Sequence, residues 1–283
     1  MMTKSFRKFT YSTFLYLVLI VGLIIFLIPF FWMLSTALKD GGDIFTYPPQ
    51  WIPRPVIWHN FIDAINIYPF IDYSINSFII TFSCIIGVLL SSSLVAFGFA
   101  RIKFPGRDLL FIVLLSTLML PPQVTMVPLF ILFQRLGWID TFKPLIVPVF
   151  FVGGFGNAFN VFLLRQFFST IPYELDDAAR IDGASTFQIY YLIMLPLAKP
   201  ALTVVGILAF MYHWNDFMWP LIVINSMEKF TVPLGLNAFK GSYVTDWNLL
   251  MAAAVIALLP CVIVFFLAQK YFVRGVVLTG LKR

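Results

Sequence analysis

Six stretches of the chain are apolar on all faces and nearly free of charge: Tyr11–Leu34, Ile75–Ala100, Leu109–Leu132, Pro144–Phe168, Ala201–Asn225 and Leu249–Tyr271. Each is long enough to cross a bilayer as a helix, which takes about 20 mostly apolar residues. The fifth is interrupted by Asp216. Strands of a membrane barrel would instead alternate in polarity over about ten residues. The pattern predicts an all-α membrane protein with six transmembrane helices, built as a single domain over residues 1–283. Between the fourth and fifth stretches lies one long polar, acidic segment, residues 169–200.

Composition agrees. Hydrophobic residues make up 60% of the chain and charged residues 11%, where a soluble domain is about a quarter charged. Lys4, Arg7 and Lys8 precede a charge-free run from Phe9 to Leu38. That run is too long for the core of a secretory signal, so it is read as an uncleaved first span. The net charge of +6 reports topology rather than nucleic-acid binding, because the basic residues are scattered among the spans. With the N-terminus inside, 13 of the 19 Lys and Arg residues fall on the inner side. The positive-inside bias therefore predicts an N-in, C-in topology, with residues 169–200 cytoplasmic. The tryptophans fall at or beyond the outer half of the membrane, as an interfacial belt does. Cys84 and Cys261 sit in apolar runs with no metal spacing and are read as buried small hydrophobes. The longest outer segment, Lys39–Tyr73, contains the stiff stretch YPPQWIPRP. It either meets an external partner or packs across the outer helix ends.

The segment Tyr173–Pro200 encodes two short helices joined at a glycine. Thr170 or Ile171 is expected to cap the first, with Pro172 in its first turn. Glu174, Asp176 and Asp177 then lie near the positive end of the helix dipole. Asp176 and Arg180 have the favourable i,i+4 order. Leu175, Ala178, Ala179 and Asp182 share a face whose alanines let another surface come close. Gly183 ends the helix in a left-handed turn. Ser185 and Gln188 form a capping box for a second helix. In it Phe187, Tyr190, Tyr191 and Met194 make an apolar stripe, and Pro196 and Pro200 end it. On these residues alone the segment is either a solvated amphipathic hairpin or a knob that engages a partner.

The order Asp177-Ala178-Ala179, Asp182-Gly183-Ala184 and Leu195-Pro196 resembles the EAA loop of ABC importer permeases, with Asp177 where that family has Glu. Further stretches resemble the carbohydrate-importing, maltose-type branch, and within it the smaller permease. They are Ala100-Arg101 through FPGR (Phe104–Arg107), Leu118–Phe130 (LMLPPQVTMVPLF), Leu136–Trp138 (LGW), His213–Leu221 (HWNDFMWPL) and Phe272–Gly275 (FVRG). The tail after Gly275 matches only loosely. The resemblance implies a type I importer fold with cytoplasmic coupling helices. It implies that Glu174, Asp176, Asp177, Ala178, Ala179, Arg180, Asp182, Gly183 and Ala184 form the surface that meets an ATPase subunit. It implies a bacterial cytoplasmic membrane, a second and different permease subunit, two ATP-binding subunits, an extracytoplasmic sugar-binding protein and a sugar substrate.

The chain has no GxxxxGK[ST] motif, and the dipeptide Gly-Lys is absent. An ATP-driven system therefore keeps ATP and Mg on partner subunits, with no cofactor, metal or catalytic site expected here. Gly153, Gly154 and Gly156 lie in an apolar run with no preceding strand and are read as helix-packing residues. Asp216 is the one acidic residue within a span. With Trp214, Asn215, Asn157 and Asn160 it is either part of a sugar pathway or a structural cap near the outer end of its helix. Three rival functions are open. A gradient-driven carrier would want more intramembrane ionisable groups than Asp216. A membrane enzyme would need a convergent catalytic set. A permease for another solute, such as glycerol phosphate, would want a basic group in its pathway, and apart from Arg165 and Lys270 at the inner ends of their stretches no Lys or Arg lies within a span.

Overall fold

The computed structural model describes residues 4–153, 157–241 and 245–279. Their regular structure is helical, apart from one isolated bridge between Lys240 and Thr245. In chain order the helices are α1 (Lys4–Ala37), α2 (His59–Asn66), α3 (Phe70–Arg101), α4 (Arg107–Ser116), α5 (Pro122–Arg135), α6 (Lys143–Ile146) and α7 (Asn157–Thr170). There follow α8 (Glu174–Ile181), α9 (Thr186–Gln188), α10 (Leu195–Leu197), α11 (Lys199–Trp214), α12 (Met218–Val223), α13 (Val232–Ala238) and α14 (Trp247–Thr279). Contacts divide the chain into two units, Met1–Phe70 with Leu236–Leu258, and Ile71–Gly235 with Leu259–Arg283.

Among the described residues, three helical stretches are long and apolar enough to cross a membrane unbroken: Tyr11–Ala37, Phe70–Arg101 and Trp247–Gln269. Two bent pairs bring the number to as many as five. Arg107–Met119 and Pro122–Arg135 meet at 97°, and Thr186–Leu197 and Lys199–Trp214 at 79°. The first bend falls at Pro121–Pro122, where successive prolines cannot donate backbone hydrogen bonds.

Two expected spans differ from the sequence pattern. The stretch Pro144–Phe168 is not one helix. It comprises α6, a 3-10 turn over Val147–Phe151 containing Pro148, a left-handed Val152 at φ 58°, and α7. Asn157 stabilises the break by donating from Nδ2 to the Gly153 carbonyl at 2.6 Å. The fifth stretch is interrupted as well, because α11 stops at Trp214 and α12 resumes at Met218. Gly154 and Gly156 lie outside the described residues.

In the first unit α1 buries none of its most apolar 18-residue window. A helix apolar all round and bare in its own unit is suited to lipid or to another subunit. Its C-terminal carbonyls are satisfied by Asn60, whose Nδ2 donates to Ala37 at 2.9 Å and Lys39 at 2.8 Å. The buried Lys39 ammonium lies 4.3 Å over the Trp32 ring. Burial lowers its pKa, and Asp43 opposes that shift. The proline-rich segment is tied at Trp51, whose carbonyl accepts from Ser35 Oγ at 2.7 Å and whose ring meets Trp32 edge-on at 5.2 Å.

In the second unit α3 is the central strut. Its buried face, Ile80, Cys84 and Val88, packs in one cluster with Leu145, Val149, Val161, Leu164, Met194 and Val205. Gly87 leaves room for the Phe150 ring, which would stand 2.9 Å from an added Cβ. Cys84 Sγ donates to the Leu145 carbonyl at 3.3 Å and Ser91 Oγ to Val149 at 2.9 Å. Between helices in a bilayer, small residues and such polar ties replace the hydrophobic effect as the source of association. Each tie contributes about 0.6 kcal/mol.

Candidate functional site: a helical elbow and a cavity in the same unit

Helix α8 begins at Glu174 after an N-cap at Tyr173 that makes no side-chain cap bond. Pro172 thus precedes the helix rather than occupying its first turn, and neither Thr170 nor Ile171 caps it. Thr170 instead closes α7, donating from Oγ1 to Phe167 at 2.7 Å. Gly183 takes φ 82° and lets the chain reverse. The capping box forms in full: Ser185 Oγ accepts from the Gln188 amide at 3.3 Å, and Gln188 Oε1 accepts from the Ser185 amide at 2.7 Å.

After α9 the helix widens to a π turn over Ile189–Met194. This changes which residues share a face. Ile189, Tyr190 and Met194 are buried, while Phe187 and Tyr191 are exposed and pack on each other at 5.4 Å. The expected four-residue stripe is therefore split. Pro196 does not end the second helix but lies within α10, and the chain bends at Ala198.

The two faces of α8 differ. Asp176 and Ala179 turn inward and are buried. Glu174, Leu175, Asp177, Ala178, Arg180, Ile181 and Asp182 are exposed, as is Gly183, with Ala184 half-buried. Ile181 is 86% exposed at the tip beside the reversal. The sequence reading passed over it, because a single isoleucine in an acidic helix carries no periodic signal. Asp176 does not form the expected pair with Arg180. Its ion-pair partner is Arg101, with Asp176 Oδ2 at 3.8 Å from Arg101 Nη1 and both side chains buried. Burial raises the pKa of Asp176, and the Arg101 charge opposes that shift.

A cavity of about 640 Å³ opens in the same unit, lined by residues of α3, α4, α5, α6, α7, α11 and α12 and of the turns between them. Its walls are mostly apolar, and among the described residues its polar groups are Ser77, Thr117, Thr125, Tyr212, His213, Asp216 and Thr231, with no Lys or Arg. The Thr231 hydroxyl is buried and finds no hydrogen-bond partner among the described residues. Of the five expected pathway residues only Asp216 lines this cavity. Its Oδ1 also accepts from the Trp219 amide at 3.3 Å, which ties it to the first turn of α12. Trp214 is buried between Phe210 and Phe78, with ring centroids at 5.6 and 4.9 Å. Asn215 is exposed and donates to the Met211 carbonyl at 2.7 Å. Asn157 braces the α7 break, and Asn160 is buried one turn further on. Tyr212, His213 and Thr231 were not predicted for the cavity. Tyr212 and His213 adjoin the WND motif, and that adjacency was the available signal. Among the described residues no three His, Cys, Asp or Glu side chains converge on a metal-sized site.

Apolar helices in number, a polar helical elbow and a walled cavity define a multi-pass membrane protein of the transporter class. Residues 87–278 match the family model described as the binding-protein-dependent transport system inner membrane component. The chain belongs to that family, the inner-membrane permeases of ABC importers. A probable ABC transporter permease protein, YurM of Bacillus subtilis, is 37% identical over 94% of this chain and 87% of its own length. The sn-glycerol-3-phosphate transport system permease protein UgpE of Yersinia pestis is 34% identical over 93% of this chain and 95% of its own. A chain in the crystal structure of a bacterial ABC transporter that imports the acidic polysaccharide alginate shares the fold, at TM-score 0.82 and 22% identity. It covers 96% of this chain and 99% of that one.

Proposed function

We propose that this chain is one permease subunit of an ATP-driven importer for a neutral sugar or oligosaccharide. It works as a single domain of six spans, N-in and C-in, with the bent pair at Pro121–Pro122 serving the third, the broken segment around Pro148 the fourth, and α11 with α12 the fifth. It supplies half of the pathway, and a second, different permease supplies the rest. Two ATPase subunits hold ATP and Mg, and an extracytoplasmic binding protein delivers the substrate. The exposed face of α8, from Asp177 to Gly183, docks on an ATPase subunit. Closure of the ATPases pushes this elbow, and the pathway turns to face outward.

The observation that carries the transport reading is the two-faced elbow. One face of α8 is buried against its own protein while the other, with Ile181 and Gly183, stands free. The substrate reading rests on the cavity. Hydroxyls, one carboxylate, an imidazole and the Trp219 and Phe133 rings suit a polyhydroxylated ring, with acceptors for its hydroxyls and aromatic faces for its C–H surface. A phosphate ester would want a cation there, and the lining has none among the described residues. The 34% identity to a glycerol-phosphate permease favours the second reading. Uptake of labelled oligosaccharides and of labelled glycerol 3-phosphate, in cells with and without this chain, separates the two. Loss of sugar uptake alone supports the first, and loss of glycerol phosphate uptake alone supports the second.

A further inference from the structure

Arg101, the last residue of α3, is buried with its guanidinium where α3, α7 and α8 meet. Its Nη2 donates to the carbonyls of Phe168 at 2.8 Å and Ile171 at 2.5 Å. These lie in and just beyond the last turn of α7, where helix carbonyls lack internal partners and a cation is favoured. Nη1 faces Asp176 Oδ2 at 3.8 Å, which joins the guanidinium to the first turn of α8. The guanidinium carbon lies 4.3 Å over the ring of Tyr173, and the Tyr173 hydroxyl returns to α3 by donating to the Ala100 carbonyl at 3.0 Å. One buried cation thus holds the end of α7 by hydrogen bonds and the start of α8 by charge and ring stacking. Lysine has neither the flat fork nor the reach to do all three.

We infer that Arg101, with Asp176 and Tyr173, is the positioning joint through which movement of the elbow reaches α3 and hence the cavity wall. This rests on the reading that α8 docks on an ATPase subunit. An ion pair kept only for stability would be replaceable by apolar groups at little loss. A joint in the transmission path changes coupling without changing assembly. Burial of both partners supports the joint, because a pair of buried charges has no alternative partner in water and so binds the two helices to move together. The Ser93–Tyr190 hydroxyl contact at 2.7 Å gives α3 a second hold on the elbow, within the π turn.

The test uses the complex purified from native membranes and reconstituted in vesicles, with Cys84 and Cys261 replaced by alanine. A Thr231→Cys reporter in the cavity is labelled by an impermeant maleimide, with and without ATP and vanadate. Separately, Ile181→Cys is crosslinked to the ATPase subunit. The parent protein is expected to change its labelling rate by about fivefold or more on trapping, on the scale of ordinary intersite coupling. Arg101→Met is expected to lose that change while the crosslink from position 181 persists, and Arg101→Lys to recover part of it. A full labelling change in Arg101→Met, with the crosslink intact, overturns the joint. Should Arg101→Met fail to assemble, the isosteric Asp176→Asn decides: a reduced change supports the joint and an unreduced one overturns it. Absence of the crosslink in the parent protein overturns the joint too, and identifies docking of the elbow as the step that failed.

Discussion

The Asp140 carboxylate and the Lys229 ammonium are 2.7 Å apart, and the same ammonium donates to the Asp140 backbone carbonyl at 2.6 Å. Asp140 holds the unusual φ of 60°. Its Oδ1 also accepts from the amides of Asn225 at 3.0 Å and Ser226 at 2.9 Å, and Oδ2 from the Ser226 hydroxyl at 2.6 Å. The loop that leads into α6 is thereby clamped to the loop after α12. Phe133 before one loop and Pro220 before the other both line the cavity. Hydrogen bonds from Lys229, then Ser226 and Asn225, hold the Asp140 carboxyl well below the usual carboxylate range. A depressed folded-state pKa contributes stability that is complete above the unfolded value of about 3.9 and drains away as pH falls through the folded one. Asp140→Asn is therefore expected to lower the thermal midpoint of the solubilised protein equally from pH 7 to pH 5. The gap to the parent protein should narrow only below about pH 4. A gap that already closes between pH 7 and pH 5 would count against the clamp.

Gly183 has φ 82°, and a Cβ built there meets nothing within 4 Å. Any penalty for a side chain is therefore backbone strain, about 1–2 kcal/mol for a β-branched residue and less for asparagine. Gly183→Val is expected to leave the spans folded and to reduce uptake about tenfold or more by misplacing the exposed face, as a shift of that size in the turn equilibrium implies. Gly183→Asn should transport nearly as the parent protein does. Equal uptake by the valine and asparagine variants would count against the turn as a mechanical element.

Removing the Ser185 side chain breaks one half of the box on α9, the bond from the Gln188 amide to Ser185 Oγ, and leaves the bond from the Ser185 amide to Gln188 Oε1. Ser185→Ala is expected to weaken the local helix by about 1 kcal/mol. Amide exchange of Gln188 and Ile189 should then speed by roughly fivefold, while exchange in α3 stays as it was. Uniform acceleration over all helices would place the capping box in the global fold instead.

Asp216 has two possible jobs, and they separate by substitution. Asparagine keeps the acceptor for the Trp219 amide and removes the charge, whereas leucine removes both. As a tie to α12, Asp216→Asn should retain most uptake while Asp216→Leu loses it together with about 1 kcal/mol of stability. Equal loss of uptake in both variants, at unchanged stability, would assign the carboxylate to the substrate.

Local signals were legible in the sequence and distant ones were not. The turn at Gly183 and the Ser185–Gln188 box depend on residues three or four apart, and both formed as their spacing predicts. The Asp176–Arg180 pair had the right spacing too. It was displaced by Arg101, 75 positions earlier in the chain, whose buried guanidinium outcompetes a solvated neighbour for the carboxylate. The break in the fourth stretch was hidden for a different reason. Every residue from Leu145 to Phe151 is apolar, so hydropathy cannot tell a helix from a 3-10 turn, although Pro148 and Gly153 were both in view. The π turn left no mark in the sequence that periodicity reads. The cavity escaped prediction because its polar lining comes from separate elements that only packing brings together.

The most direct test of the central claim is a photo-crosslinker placed at Ile181 and activated in native membranes. The account predicts one dominant adduct, between this chain and a nucleotide-binding subunit on the cytoplasmic side. Labelling of position 181 by an impermeant reagent added outside intact cells, or a full complex in which that position yields no adduct, would contradict it.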